Sequence, residues 1–121
     1  RKVDTFPLGI KEAFTELMNI VPDGNKRAYY ALSWFDENGK IIYIAAVKES
    51  YSGEGKIYNL DNYTINKGEY LAANIQDWML KTDSIGKVFH DLMKEPGVDF
   101  TKPCVEWYKS DKEMMCLVKL K

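Results

Sequence analysis

Histidine occurs once and cysteine twice in this chain. A transition-metal centre draws on several nitrogen and sulfur ligands, so this supply argues against a metal site. No apolar run approaches membrane-spanning length, and no secretory leader pattern opens the sequence. Charge of one sign is also wanting, since 17 Lys and Arg face 18 Asp and Glu for a formal net charge of −1. A near-neutral chain creates no broad field for a polyanion, which argues against direct nucleic-acid binding. There is no phosphate-cradling loop, because GEG at 53–55 lacks the lysine and the strand-to-helix setting. Ser50 and Ser52 have no nucleophile elbow around them. His90 has no recognised acidic or nucleophilic partner near it in sequence.

What is present is enough for one folded unit. The 121 residues, 45% apolar and 29% charged, fit a single domain over 1–121 whose core needs no metal or disulfide staple. Cys104 and Cys116 fall on facing arms of a predicted hairpin and read as buried free thiols. The chain opens on RKVD without Met, which points to processing, trimming or residues before Arg1. A cytoplasmic location is expected, with no membrane association and no cofactor.

Periodicity places the elements. LGIKEAFTELMNI at 8–20 predicts a helix with Ile10, Ala13, Phe14, Leu17 and Met18 on its apolar stripe. PDGN at 22–25 ends it. Strands follow at 28–35 and 41–48 around a DENG turn, and both faces of this hairpin are apolar, so both must be covered by protein or ligand. The stretch 51–59 reads as a polar, flexible connection, 60–65 as a short extended piece, and 66–68 as a turn. A strand is expected at 70–75 and a helical turn at 76–81 carrying Trp78 and Met79. Ser84 is expected to cap a helix whose buried stripe is Ile85, Val88, Phe89, Leu92 and Met93.

The last stretch, PCVEWYKSDKEMMCLVKL at 103–120, predicts a second hairpin with its polar turn at 109–113. Strand alternation puts Cys104, Glu106 and Tyr108 on one face and Val105 and Trp107 on the other. A carboxylate among strand-forming residues must be solvated, paired or used, which makes Glu106 the residue to explain. An aromatic supply that includes Tyr29, Tyr30, Trp34, Tyr43, Tyr70, Trp107 and Tyr108 offers rings against which a cation could stack.

Helix, break and hairpin at 8–48 are matched by helix, break and hairpin within 70–120, a similarity of organisation rather than of sequence. The second unit has a strand before its helix, and the first strand is missing from the first unit. An α+β domain is expected, with an antiparallel sheet, helices on one face and a ligand cleft on the other.

RAYYALS at 27–33, DENGKIIYIAAVKE at 36–49, YTINKGEYLAANIQDW at 63–78, SIGKVFHDLM at 84–93 and KPCVEWY at 102–108, closed by MMCLVKL, carry a resemblance. In that order and spacing the chain resembles the GyrI-like effector-binding superfamily, which includes the ligand domains of multidrug-sensing MerR-type and AraC-type transcription regulators. The resemblance implies a duplicated β-α-β-β fold with a hydrophobic cleft between its halves. It also implies that Glu106 contributes to recognition of cationic lipophilic molecules, with Tyr108 as the adjoining aromatic and Tyr29 or Tyr30 at the paired tyrosine position. Ala31 stands where many relatives carry glycine, which puts ligand identity in doubt.

The expected function is therefore small-molecule effector binding, by a stand-alone sensor or as part of a transcription regulator. The ligand would be hydrophobic or cationic, and aromatic or amphipathic. Its expected contacts are Glu106, Tyr108, Tyr29, Tyr30, Trp34, Tyr70 and Trp78. One alternative is a small hydrolase that uses Glu106 on an electrophilic compound, although a single acid without a recognised partner favours binding over catalysis. Another is a protein-interaction module, including a homodimer, that uses an open sheet edge.

Overall fold

The fold is taken from a computed structural model that describes residues 2–3, 9–65, 67–110 and 112–121. Helix α1 spans Ile10–Ile20, and its apolar stripe buries Ala13 and Leu17 while Ile10 and Phe14 pack at the margin. Residue 8, the expected start of this helix, lies outside the described residues. Met18, expected in the stripe, is instead exposed. The helix stops where Val21 turns extended ahead of Pro22, as the residue before a proline prefers. A 3₁₀ turn at Gly24–Lys26 then brings the backbone so close to α1 that a Cβ on Gly24 would run into the Met18 carbonyl.

Strands β1 (Tyr29–Phe35) and β2 (Ile41–Val47) form the first hairpin, and β4 (Cys104–Tyr108) and β5 (Glu113–Lys119) form the second. In the first turn Asp36 Oδ1 accepts from the Asn38 and Lys40 amides while Gly39 supplies a φ of 78°. Residue 111, in the second turn, lies outside the described residues. With β3 (Tyr70–Gln76) the strands make one sheet in the order β2-β1-β4-β5-β3. Each pairing is antiparallel, and the central one sets Ala31 opposite Glu106.

Register decides which side chains share a face. Ala31, Tyr43 and Ala45 meet Glu106, Tyr108, Met114, Cys116 and Ile75 on one side. On that side α1 packs against Ala31, Tyr43 and Ala45. Helix α3 (Thr82–Met93) packs Ile85, Val88, Phe89 and Leu92 against Ile75, Met114 and Cys116. The two helices therefore cover opposite halves of the sheet, with β1 and β4 running between them. Before the first helix, the Val3 amide donates to the Tyr43 carbonyl at 2.9 Å, and Lys2 pairs antiparallel with Ile44 along the outer edge of β2.

Two local expectations need correction. The stretch 51–59 is not merely a polar connection, because Glu54–Ile57 forms a short helix, α2, with Glu54 buried. Ser84 does not cap α3: the helix begins at Thr82, and the Ser84 hydroxyl turns back to the Lys81 carbonyl at 2.7 Å. A 3₁₀ turn at Trp78–Leu80 feeds the chain into the helix earlier than the Ser84 signal suggests. The 60–65 piece pairs with no strand among the described residues, and residue 66, in the turn expected at 66–68, lies outside them. Among the described residues no helix is long and apolar enough to cross a membrane.

Candidate functional site

Glu106 sits in the middle of a central strand and is 6% exposed. Strand period two carries Tyr108 to the same face, where its hydroxyl donates to Glu106 Oε1 at 2.6 Å. The Tyr43 and Tyr108 hydroxyl oxygens are 3.3 Å apart. A hydroxyl has one proton, and Tyr108 directs its own to Glu106, so Tyr43 is the donor in this second contact. The result is a short relay from β2 across β1 to β4, reaching from Tyr43 through Tyr108 to the carboxylate.

Burial and mutual charge shift the titration of all three groups upwards. Burial raises the Tyr43 pKa, helped by the charge of Glu106, and Tyr43 remains a donor at neutral pH. Burial raises Tyr108 for the same reason, with Glu106 and Tyr43 adding to it. Glu106 is itself pushed up, chiefly by burial, and the Tyr108 hydrogen bond offsets part of that rise. Among the described residues no Lys, Arg or His forms an ion pair with Glu106. Its second oxygen has no protein donor among them. Burial thus desolvates the carboxylate, and among the described residues it has one hydrogen bond and no counter-charge.

Around this acid the floor is low and the rims are aromatic. Ala31 and Cys116 flank Glu106 on the neighbouring strands, and Cys104 precedes it on its own strand face. The ring of Phe14 from α1 meets Tyr108 edge-on at 5.5 Å and Tyr29 at 6.1 Å. Trp78 lies 5.0 Å from the Tyr108 ring and donates its indole N–H to the Ser110 carbonyl at 2.9 Å. That bond ties the β3–α3 connection to the turn of the second hairpin.

The seven expected contact residues divide between two faces. Glu106, Tyr108 and Tyr29 lie on the helix-bearing side, with Trp78 against Tyr108. Tyr30, Trp34 and Tyr70 point to the opposite side, because each is out of phase with Glu106 in the strand register. Tyr30 stacks on Trp107 with ring centres 6.2 Å apart, and Tyr70 lies beneath the Lys119 ammonium. A groove of about 610 Å³ that runs from that side round β2 to α1 is lined by Tyr30 and Trp34 and also by Leu17 and Val21, but not by Glu106. An acid in a cleft opposite the helices is thus not what the register provides: Glu106 shares the helix face and does not line the groove.

Sequence reasoning missed Phe14 as a site ring and left Tyr43 as general aromatic supply. Alternation within 41–47 does place Tyr43 in phase with Ala45, and that signal acquires meaning once β1 is known to lie between β2 and β4. It also missed the second buried acid. Glu54 is held by Arg27 through two bonds of 2.6 and 2.7 Å and accepts from the Ser50 amide at 2.8 Å. Arg27 holds this carboxyl down at about 2, far below the usual range, which makes it a fixed structural anion. The partners are 27 residues apart, and no local pattern joins them.

The thiols are free, with Cys116 buried and Cys104 half-buried, whereas both were expected buried. Cys104 begins a strand and escapes full cover. His90 is on the exposed side of α3 beside Asp91. No group of three or more His, Cys, Asp or Glu among the described residues is arranged to hold a metal ion. No protein-family model, curated protein or solved structure matches the chain.

Proposed function

We propose that this protein binds a cationic, aromatic small molecule over the strip of sheet between α1 and α3, with Glu106 as the anionic anchor. The observation that carries the reading is the state of that carboxylate: buried, held by the single Tyr108 bond, and lacking a protein cation among the described residues. A desolvated anion attracts a cation more strongly than an exposed one, and the faces of Tyr108, Trp78 and Tyr29 suit a delocalised positive charge. Ala31, Cys104 and Cys116 set small side chains next to Glu106 on this face of the sheet.

The GyrI-like, duplicated β-α-β-β reading belongs to the same proposal and has support in the arrangement of the two halves. Val3 lies beside Tyr43 on the edge of β2 much as Ile75 lies beside Met114 on the edge of β5, and all four are buried. Helix α1 begins at Ile10, seven positions after Val3, and α3 begins at Thr82, seven positions after Ile75. Read this way, 2–3 occupies the place of the first unit's opening strand. We take the protein to act in the cytoplasm as an effector sensor, alone or as the sensory part of a transcription regulator that reads DNA elsewhere.

Capture is favoured over turnover. The groups on the described face around Glu106 are tyrosine hydroxyls, thiols and apolar side chains, which suit recognition better than activation of water.

Tetraphenylphosphonium and tetraphenylborate, ions of one shape and opposite charge, test the reading by thermal shift and calorimetry. The cation should raise the melting temperature and the anion should not. Glu106→Gln, with its fold checked by circular dichroism, should abolish the cation effect. An equal response to both ions, or a cation response untouched by the substitution, would defeat the proposal.

A further inference from the structure

A groove of about 610 Å³ runs from the sheet face opposite the helices round β2 to α1, where Leu17 and Val21 also line it. Its volume is in the range of sites that enclose drug-sized ligands. The floor comes from alternate positions of the first hairpin, with Tyr30 and Trp34 on β1 and Ile44 on β2. Ala46, the cross-strand partner of Tyr30, also lines it and leaves the floor low beside that ring. The opposite wall is the 58–65 segment, which contributes Tyr58, Tyr63 and Ile65. Apolar side chains on both walls stay open to solvent: Trp34 is 39% exposed, Tyr63 52% and Ile65 38%.

Charge identifies the kind of occupant. Three basic side chains, Lys2, Arg27 and Lys48, and three acidic ones, Glu49, Glu54 and Asp61, line the groove. Arg27 and Glu54 already neutralise each other through their two-bonded ion pair. The Glu49 carboxylate accepts from the Gly55 amide. An ion of either sign would gain no net field here, whereas a flat ring system would gain contact with aromatic side chains on two walls. The carboxamides of Asn59 and Asn62 also line the site and can serve a ligand's polar edge.

We infer that this groove is a second ligand site, separate from Glu106, for an uncharged planar aromatic compound held between the Tyr30–Trp34 floor and the Tyr58–Tyr63 wall. The Arg27–Glu54 pair fixes the near end of that wall by pinning α2 and the Ser50 amide to the start of β1. The 61–65 part of the wall is exposed and outside regular structure, so it can adjust to a ring slid beneath it.

Nile red, a neutral planar dye that brightens in apolar surroundings, tests this on the intact protein. Saturable brightening is expected, with Trp34→Ala and Ala46→Phe each weakening it by about tenfold, one by removing a ring of the floor and the other by filling the space beside Tyr30. Phe100→Ala, which removes a 66%-exposed ring outside the groove, should leave the titration unchanged. An excess of tetraphenylphosphonium should not displace the dye. Absence of saturable binding, indifference to both groove variants, or displacement by the cation would overturn the inference. So would loss of dye binding as protein concentration rises, because a second copy would then be the occupant.

Discussion

The Tyr108 hydroxyl donates to Glu106 across 2.6 Å from two positions along the same strand, so one strand supplies both the buried acid and the donor that stabilises its charge. The single bond does not compensate for burial. Desolvation raises the Glu106 pKa more than the bond lowers it, and the folded protein keeps this proton to a higher pH than the unfolded chain.

The sign of the resulting pH dependence follows directly. Between the ordinary carboxylate range and the raised folded value the unfolded chain binds fewer protons at this site, so stability falls as pH climbs. Above the folded value the penalty is complete and constant. Glu106→Gln keeps an acceptor for Tyr108 and removes the charge, so it should stabilise the protein at neutral pH. The gain should vanish below about pH 4, where both forms are neutral. Urea unfolding of parent and variant across this range checks it, and a gain independent of pH would reject the assignment.

Glu54 should show the opposite slope. Its pKa of about 2 lies below the ordinary value of 4.5, so the stability it contributes is present above the ordinary value and lost as pH falls towards the folded one. Arg27→Met should flatten this acid limb, destabilise the fold at neutral pH and speed amide exchange across 50–57, because it strands a buried carboxylate. Adding Glu54→Leu to that variant should recover much of the loss. Hydrogen exchange and acid titration of the parent and the two variants decide it, and a double variant no better than Arg27→Met would argue against the pair as the cause.

The contrast between these two acids also marks what the sequence could reveal. Glu106 and Tyr108 are legible together because strand period two is local: any reading that finds the strand puts both on one face. The strands themselves and α3 are legible for the same reason, through period two and period 3.6. Arg27 and Glu54 meet through a fold in the chain, and neither has a neighbour that announces the other. The division of Tyr30, Trp34 and Tyr70 from Glu106 could have been read within each strand, but not across strands without the pairing of Ala31 with Glu106. The early start of α3 shows a further limit, since a serine suited to capping also fits inside the first turn.

The thiols should be slow. Burial, reinforced by the Glu106 and Cys104 charges, pushes Cys116 up to about 12, and burial likewise raises Cys104. Only the thiolate attacks a disulfide reagent, so Cys116 should stay unmodified in the native protein at neutral pH and Cys104 should react slowly. Both should titrate at once in denaturant. Their strand positions do not face each other, because Cys116 pairs with Glu106, so oxidation should not produce a bond between them without disturbing the hairpin. Mass spectrometry after timed alkylation resolves the two sites, and rapid native labelling of Cys116 would show that its burial is misjudged.

Cation capture by Glu106 carries its own pH signature. A cation and a proton compete for the same carboxylate, so affinity for tetraphenylphosphonium should rise about tenfold per pH unit below the folded pKa and level off above it. Binding in that lower range should release a proton, which calorimetry detects as a dependence of heat on the buffer used. Tyr108→Phe removes the bond that favours the ionised form, so the rise should move to higher pH while the plateau persists. Tyr43→Phe should move it in the same direction by less, because Tyr43 acts on the acid only through the Tyr108 oxygen, across 3.3 Å. The order of these shifts separates a relay that tunes the acid from aromatic rings that merely pack around it. A flat affinity profile in the parent would remove Glu106 from the binding event, whereas a parent profile that rises and is left in place by Tyr108→Phe would remove only the tuning.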